Sequence, residues 1–221
     1  MSIVTAIIAR NEADRYLGRV VRHCATFSDK VLVLDDRSTD ATVEVAMANG
    51  AEVRVRAAGS PCLWGTETLA RKELWDWGAG ECGTGFLLLC DADQILMGDP
   101  RPYCDTWMCN TWSFPLYDCW NDESTFRADG YWQGYKHPRP WLFRPGAVPE
   151  GWVAQWSGRG LHAGHAPSNW PMMEGFANGL YWLHLGWLKP EDRKAKYERY
   201  KAQWDQLTEF EQNHVASILE G

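Results

Sequence analysis

The sequence contains no apolar run long enough to cross a bilayer, and it has no excess of positive charge. A membrane-spanning helix needs about 20 predominantly apolar residues, so no membrane span is expected. The apolar stretch at residues 3–8 is too short for a secretory signal and has no basic segment before it. A net charge of −7 argues against general binding of nucleic acid. These absences predict a cytoplasmic protein.

The seven cysteines lack the spacing of a zinc ribbon. Their odd number and their positions in or beside apolar runs favour reduced thiols. The 221 residues are enough to bury one sizeable core. Aromatic residues are unevenly distributed, because ten of the 14 tryptophans lie between Trp107 and Trp187. We therefore expect one structural domain with two differently built halves, residues 1–97 and 98–221.

One strand-like run ends on two carboxylates. Residues 86–90 are continuously apolar and lead into Asp91 and Asp93. This pattern predicts a strand buried on both faces, with both acids where the chain leaves the sheet. Ligands bind at that edge of open α/β sheets, and paired carboxylates suit Mg²⁺ or Mn²⁺. The alternative is a polar turn in which Asp93 caps the next element.

The first half alternates between strand and helix patterns. Strands are predicted at residues 3–9, 31–34 and 51–56, and helices near Glu12, with Asn11 as its N-cap, and at residues 39–49. The second strand also ends on paired acids, Asp35 and Asp36. This alternation predicts an α/β fold with a parallel sheet covered by helices.

Three motifs follow one another between residues 9 and 93. They are residues 9–12 (ARNE), residues 33–42 (VLDDRSTDAT), and Arg71 in a predicted helix before residues 89–93 (LCDAD). Together they resemble glycosyltransferase family 2. The resemblance implies the GT-A fold, a Rossmann-like mixed sheet with helices on both faces. It also implies a donor half at residues 1–97, an acceptor half at 98–221, and transfer of a sugar from a nucleoside diphosphate sugar, UDP favoured.

The resemblance implies roles for the donor-site residues. Asp35 or Asp36 would accept a hydrogen bond from the base, although either one has the alternative role of capping the next turn. Arg71 would neutralise the base or the diphosphate, and Asp91 would face the ribose. Glu12 has the alternative role of an acid at a helix start. The implied donor-site residues are Ala9, Asn11, Glu12, Asp35, Asp36, Arg71, Asp91, Ala92, Asp93 and Arg144.

The second half contains a histidine in a recognisable setting. Residues 184–200 (HLGWLKPEDRKAKYERY) resemble the tail of many family members. That resemblance implies that His184 returns to the D-x-D motif and binds Mn²⁺ or Mg²⁺ with Asp93 and Asp91. Without the resemblance, His184 would be an ordinary buried histidine.

An acidic loop supplies candidates for the proton acceptor. In the family this region often faces the acceptor, which implies a role in deprotonating the attacking hydroxyl. Asp122 and Glu123 are the candidates, with Asp118 behind them. The alternative is a solvated acidic loop.

The acceptor hydroxyl remains open among a glycan, a lipid, a small molecule and a modified nucleobase. Residues 127–165 are rich in basic and aromatic side chains, which favours DNA with hydroxylated bases, whereas the negative net charge disfavours it. Two rival functions remain. One is a non-catalytic module that binds glycan or nucleic acid. The other is a sugar nucleotidyltransferase, from which a glycine-rich loop would be expected in place of residues 9–12.

Overall fold

The structure is a computed structural model that describes residues 1–64, 66–158 and 164–220. The strands are β1 (Ile3–Ala9), β2 (Lys30–Asp35), β3 (Glu52–Val55), β4 (Phe86–Asp91), β5 (Gln94–Met97), β6 (Thr111–Phe114), β7 (Leu116–Asp118), β8 (Arg139–Phe143), β9 (Glu174–Phe176) and β10 (Tyr181–His184). The α-helices are α1 (Leu17–Cys24), α2 (Thr42–Ala48), α3 (Glu67–Cys82), α4 (Arg101–Cys104), α5 (Pro190–Lys201) and α6 (Glu209–Ser217). Short 3₁₀ turns cover Gly134–Lys136, Leu185–Trp187 and Trp204–Gln206. Within these ranges no helix has the length and apolar character that a membrane crossing requires.

The central sheet has seven strands in the order β3-β2-β1-β4-β8-β6-β9. The first four are parallel to one another, as expected when helices cross between strands. Strand β8 then pairs antiparallel with both β4 and β6, and β9 is parallel to β6. The predicted α/β architecture with a mixed central sheet is confirmed.

Strand β1 is buried along its whole length because helices cover both faces of the sheet. Ile3 and Ile7 belong to the core on one face, which also contains Leu17 of α1. Ile8 faces the other core, which contains Leu74 of α3. A strand covered on both sides has no polar face, which explains its continuous apolar sequence.

The first helix begins later than the sequence pattern indicates. It starts at Leu17, and Asn11 is not its N-cap. Asn11 has a positive φ of 55°, and its side-chain oxygen accepts a hydrogen bond from the backbone N–H of Thr39 at 2.8 Å. The backbone N–H of Glu12 donates to the hydroxyl of Thr42 at 2.8 Å. Residues 11 and 12 are therefore held by the neighbouring β2–α2 loop, and this prevents the helix from starting there.

A second sheet of three strands, in the order β5-β10-β7, lies after the D-x-D turn. Strand β10 is antiparallel to β5 and parallel to β7. In this register His184 pairs with Gln94 on one side and with Asp118 on the other. The small sheet therefore brings residues distant in sequence to the edge where β4 ends.

Candidate active site

A cavity of about 700 Å³ opens at the carboxyl ends of β1 and β4. Its volume lies within the range of small-molecule sites, about 300–1,000 Å³, and its position is the usual ligand edge of an open α/β sheet. The charged and histidine side chains that line it include Arg10, Glu12, Arg15, Glu67, Arg71, Asp91, Asp93, Asp118, Arg139, His165, His184, Lys196, Arg199, Glu211 and His214.

Asp91 faces helix α3. Arg71 donates from Nη2 to Asp91 Oδ1 at 2.7 Å and to Glu67 Oε1 at 2.9 Å. Burial raises the pKa of Asp91, but the guanidinium of Arg71 outweighs it and holds the pKa below the ordinary value. Nη1 of Arg71 is buried and has no hydrogen-bond partner among the described residues. A buried donor of this kind is costly unless a ligand satisfies it.

Asp93 turns the other way, toward the carboxyl-terminal part of the chain. Its Oδ2 lies 3.4 Å from Nε2 of His184 and accepts a hydrogen bond from Nζ of Lys196 at 3.1 Å. Nδ1 of His184 lies 2.7 Å from Oδ1 of Asp118. Burial lowers the pKa of His184, but the two carboxylates outweigh it and raise the pKa to about 9.

Local structure explains why these groups meet. The backbone N–H of Leu185 donates to the carbonyl oxygen of Asp93 at 2.8 Å, which fixes the end of β10 to the D-x-D turn. A Cβ at Gly186 would collide with both Asp93 and Lys196, so only glycine leaves room for their contact. Helix α5 then carries Lys196 back into the cavity.

Helix α5 is anchored one turn before Lys196. Arg193 is buried and donates to the carbonyl oxygens of Trp187 at 2.7 Å and Leu188 at 3.1 Å. Residues three apart lie on one face of a helix, so the hydrogen bonds of Arg193 also orient Lys196 toward the cavity. The ammonium of Lys196 lies 4.3 Å from the centre of the Trp187 ring.

The groups around Asp93 do not fit a divalent cation in this arrangement. The ammonium of Lys196 is within 3.3 Å of Nε2 of His184 as well as hydrogen-bonded to Asp93. Among the described ranges, no group of three or more His, Cys, Asp or Glu residues could hold a metal ion. We derive no catalytic step through a metal, and the metal roles of Asp91, Asp93 and His184 stay predictions.

Glu12 lies in the cavity beside Arg15, which donates to its Oε1 at 3.1 Å. Burial is the main reason that its pKa is raised to about 7, with a further contribution from Asp93. Its second oxygen is buried and has no hydrogen-bond partner within the described part of the chain. Glu12 is therefore a second polar group in the cavity that a ligand could satisfy.

Asp35 and Asp36 do not line the cavity. Asp35 accepts a hydrogen bond from the backbone N–H of Ser38 at 2.9 Å, so it caps the turn after β2. Asp36 is fully buried and accepts from Arg10 at 2.9 Å, Arg56 at 2.7 Å and the backbone N–H of Leu63 at 2.8 Å. Asp36 therefore holds the loop that carries Leu63 and Trp64, and both of those residues line the cavity.

Other predicted donor residues have different surroundings. Ala92 lines the cavity, whereas Ala9, Asn11 and Arg144 do not. Arg144 is buried beneath the sheet edge, where it donates to the carbonyl oxygen of Thr106 at 2.6 Å and lies over the ring of Phe86 at 4.4 Å.

Of the three predicted proton acceptors, only Asp118 lines the cavity. Asp122 accepts hydrogen bonds from the backbone N–H groups of Ser124 and Thr125, each at 2.8 Å, so it stabilises its own exposed loop. Glu123 forms an exposed ion pair with Arg19 at 2.7 Å. The structure does not bring Asp122 or Glu123 into the site.

The basic and aromatic segment at residues 127–165 is largely used for internal packing. Arg127 lies over the rings of Trp120 and Trp132, at 4.7 and 5.0 Å. Trp132 and Trp141 are buried, and Arg139 lines the cavity. Arg159, which belongs to the same segment, lies outside the described residues.

Sequence reasoning gave no role to Lys196 or Arg15, and it treated His165 only as half of a weak histidine pair with His162, which lies outside the described residues. Lys196 lies in the same motif, residues 184–200, from which a role for His184 was predicted. Its position three residues after Arg193, on the same helix face, was the sequence feature that could have identified it. Burial lowers the pKa of His165 to about 4, with Arg71 acting in the same direction. Its ring therefore stays neutral in the cavity, and no sequence pattern indicates this.

No family model matches the chain. Uncharacterized proteins of Mycobacterium bovis and Mycobacterium tuberculosis are each 27% identical to it over 214 residues, which is 89% of this chain and 49% of theirs. The chain therefore spans about half the length of the curated relatives it matches.

Two solved structures are also similar. Glucosyl-3-phosphoglycerate synthase from Mycobacterium tuberculosis, in complex with Mg²⁺ and UDP, is 22% identical over 54% of this chain and 43% of its own, with a TM-score of 0.38. S. aureus TarS 1-349 is 15% identical and has a TM-score of 0.52 over 99% of this chain and 69% of its own. The first likeness is too low to support any assignment. The second shows the fold alone, and with it the predicted GT-A fold class is confirmed.

Proposed function

We propose that the chain transfers a sugar from a nucleoside diphosphate sugar, UDP-sugar favoured, to an acceptor hydroxyl. One observation carries the proposal. The acids of the D-x-D motif lie in one cavity and face opposite walls, Asp91 toward Arg71 and Asp93 toward Lys196. A diphosphate that enters between these cations can accept hydrogen bonds from both sides, which stabilises an anionic leaving group.

The chemistry that we propose is a substitution at the anomeric carbon. The bond from that carbon to the diphosphate oxygen breaks, and its electron pair stays on the oxygen. The acceptor oxygen forms the new bond and loses its proton. The cavity residues bind the two substrates and stabilise the charge that grows on the leaving group.

Arg71 is our candidate for binding the donor. Its side chain is fixed by Glu67 and Asp91, so Nη1, which has no hydrogen-bond partner in the described part of the chain, is held in place before a ligand arrives. A hydrogen bond to a charged group contributes about 1.5–3 kcal/mol. Loss of Arg71 should therefore weaken nucleotide binding about tenfold to a hundredfold.

Asp118 is our candidate for accepting the proton of the acceptor hydroxyl. It lines the cavity, and its contact with His184 fixes the orientation of the carboxylate. A positioned general base contributes about 10²–10⁴-fold to a rate. The acceptor itself remains a proposal of class only, an alcohol on a glycan, lipid, small molecule or modified base.

The test is calorimetric titration of UDP, GDP, ADP and CDP into the wild-type chain, Arg71→Met and Arg101→Met. Arg101 is the matched control because it is exposed and pairs with its near neighbour Asp99, away from the cavity. We expect one nucleotide to bind the wild type and Arg101→Met equally well and Arg71→Met at least tenfold more weakly. No binding of any nucleoside diphosphate, with or without Mn²⁺, would refute the proposed function.

A further inference from the structure

We propose that the ammonium of Lys196 takes the place of a divalent cation between Asp93 and His184, so that the chain binds the donor diphosphate without metal. The identity of the ligand rests on the proposed function. That Lys196 lies between Asp93 and His184 rests only on the distances between these side chains.

The ammonium contacts the two atoms that a metal would use. Nζ of Lys196 lies 3.1 Å from Oδ2 of Asp93 and 3.3 Å from Nε2 of His184, and those two atoms lie 3.4 Å apart. A metal ion bound to the same oxygen and nitrogen would meet the ammonium at close range. Like charges at such a distance repel strongly in a buried site. Lys196 and a divalent cation therefore compete for one position.

The surrounding structure holds Lys196 in this position. Lysine is rarely buried unless it is paired, and burying it costs side-chain entropy. Lys196 is nevertheless only 7% exposed. Arg193 anchors its helix, the Trp187 ring packs against its ammonium, and Gly186 leaves the space it fills. The contact is part of the fold.

Among the described residues, no third carboxylate or histidine completes a metal site with this pair. Asp91 would be the natural candidate, but it is directed away from Asp93. Its Oδ1 accepts from Arg71 at 2.7 Å, and its Oδ2 accepts from the side-chain amide of Gln94 at 3.3 Å. A metal at this pair would have two protein ligands and would take its remaining ligands from water, whereas the ammonium is held by its hydrogen bond to Asp93.

Lys196 retains the capacity to bind an anion. An ammonium has three N–H donors, and Asp93 accepts from one of them. Lys196 lines the cavity, so a further N–H can donate to a phosphate oxygen that binds there. Lys196 thus supplies a hydrogen-bond donor and positive charge to the leaving diphosphate.

The first experiment measures Mn²⁺ binding by electron paramagnetic resonance, without any nucleotide. The proteins are the wild type, Lys196→Met, the double variant Lys196→Met/Asp93→Asn, and Lys194→Met as control. Lys194 is exposed on the same helix. Methionine keeps the length of the lysine stem without its charge.

We expect no Mn²⁺ binding by the wild type or by Lys194→Met, binding by Lys196→Met, and its loss in the double variant. Binding by the wild type that Asp93→Asn abolishes would overturn the inference. The absence of binding in Lys196→Met would also overturn it, because the Asp93–His184 pair would then not be a metal position.

The second experiment titrates the preferred nucleoside diphosphate in the presence of a chelator. We expect wild-type affinity to be unchanged by the chelator, and Lys196→Met to bind at least about tenfold more weakly, as for a lost hydrogen bond to a charged group. Wild-type binding that requires metal would overturn the inference and leave the proposed function intact. Only a failure of all diphosphates, with and without metal, removes the proposed function.

Discussion

Asp36→Asn tests whether Asp36 organises the wall of the cavity. Its carboxylate is fully buried and accepts hydrogen bonds from Arg10, Arg56 and the backbone N–H of Leu63. The side chain of Arg56 is only 2% exposed, and its other ionic partner, Glu73, is 45% exposed. The substitution therefore leaves a buried guanidinium without its main counter-charge.

The expected loss follows from that uncompensated charge. Removing one partner of a buried ion pair costs about 3–5 kcal/mol of unfolding free energy. For a chain of this size each kcal/mol corresponds to about 2–4 °C in Tm, so the Tm should fall by about 6–20 °C. Scanning calorimetry and urea unfolding at pH 7 measure both quantities. The matched control is Asp105→Asn, whose side chain is 75% exposed, and it should change stability by less than about 0.5 kcal/mol.

The pH dependence gives a second arm of the same test. Burial raises the pKa of Asp36, but hydrogen bonds from Leu63, Arg10 and Arg56 outweigh it and lower the pKa below its ordinary value. The carboxylate therefore stabilises the folded chain at neutral pH, and this contribution is lost as the pH falls from about 4 through the folded pKa. The difference between the wild type and Asp36→Asn should shrink over that range. A loss below about 1 kcal/mol at pH 7, or a difference independent of pH, would refute the role of Asp36.

Two further substitutions test the assignment of the site. Asp118→Asn should reduce the rate of sugar transfer about 10²–10⁴-fold. Glu123→Gln should leave the rate unchanged, because an exposed ion pair contributes at most about 1 kcal/mol. Initial rates of both variants test this, and a larger loss in Glu123→Gln than in Asp118→Asn would contradict the placement of Glu123. Gly186→Ala adds a Cβ that collides with Asp93 and Lys196, so we expect a loss of about 1–3 kcal/mol in stability and weaker nucleotide binding. Unchanged Tm and nucleotide affinity in Gly186→Ala would show that the close packing there is unimportant.

The parallel part of the fold was predictable because β1, β2 and β4 are buried on both faces and have continuously apolar sequences. Strand β1 was predicted with its observed bounds, Ile3–Ala9, since an apolar run of that length between polar segments has few other interpretations. The start of α1 was not predictable from local pattern. Asn11 is a good N-cap residue, but tertiary hydrogen bonds with Thr39 and Thr42 hold this segment out of the helix.

The sequence predicted which residues form the candidate site better than it predicted the contacts that those residues make. Asp91, Asp93 and His184 were all singled out, and the structure brings them to one cavity. The sequence could not show that Asp36 accepts hydrogen bonds from Arg10 and Arg56. Arg56 directly follows β3, and it reaches Asp36 only because β3 pairs with β2 in the sheet. The sequence also could not rank Asp118 above Asp122, since that choice depends on the register of β7 against β10.

The two acids of the D-x-D motif illustrate why a short motif does not specify a metal. One residue separates them, so a continuing strand would place both on one face, but β4 ends at Asp91 and Asp93 lies in the turn that follows. Asp91 meets Arg71 from the helix before the strand, and Asp93 meets Lys196 from a helix about 100 residues later. Each carboxylate thus acquires a cation from a different half of the chain. Protein side chains then neutralise both carboxylates of the motif. Whether the site also needs a metal ion depends on Lys196, which lies far outside the motif.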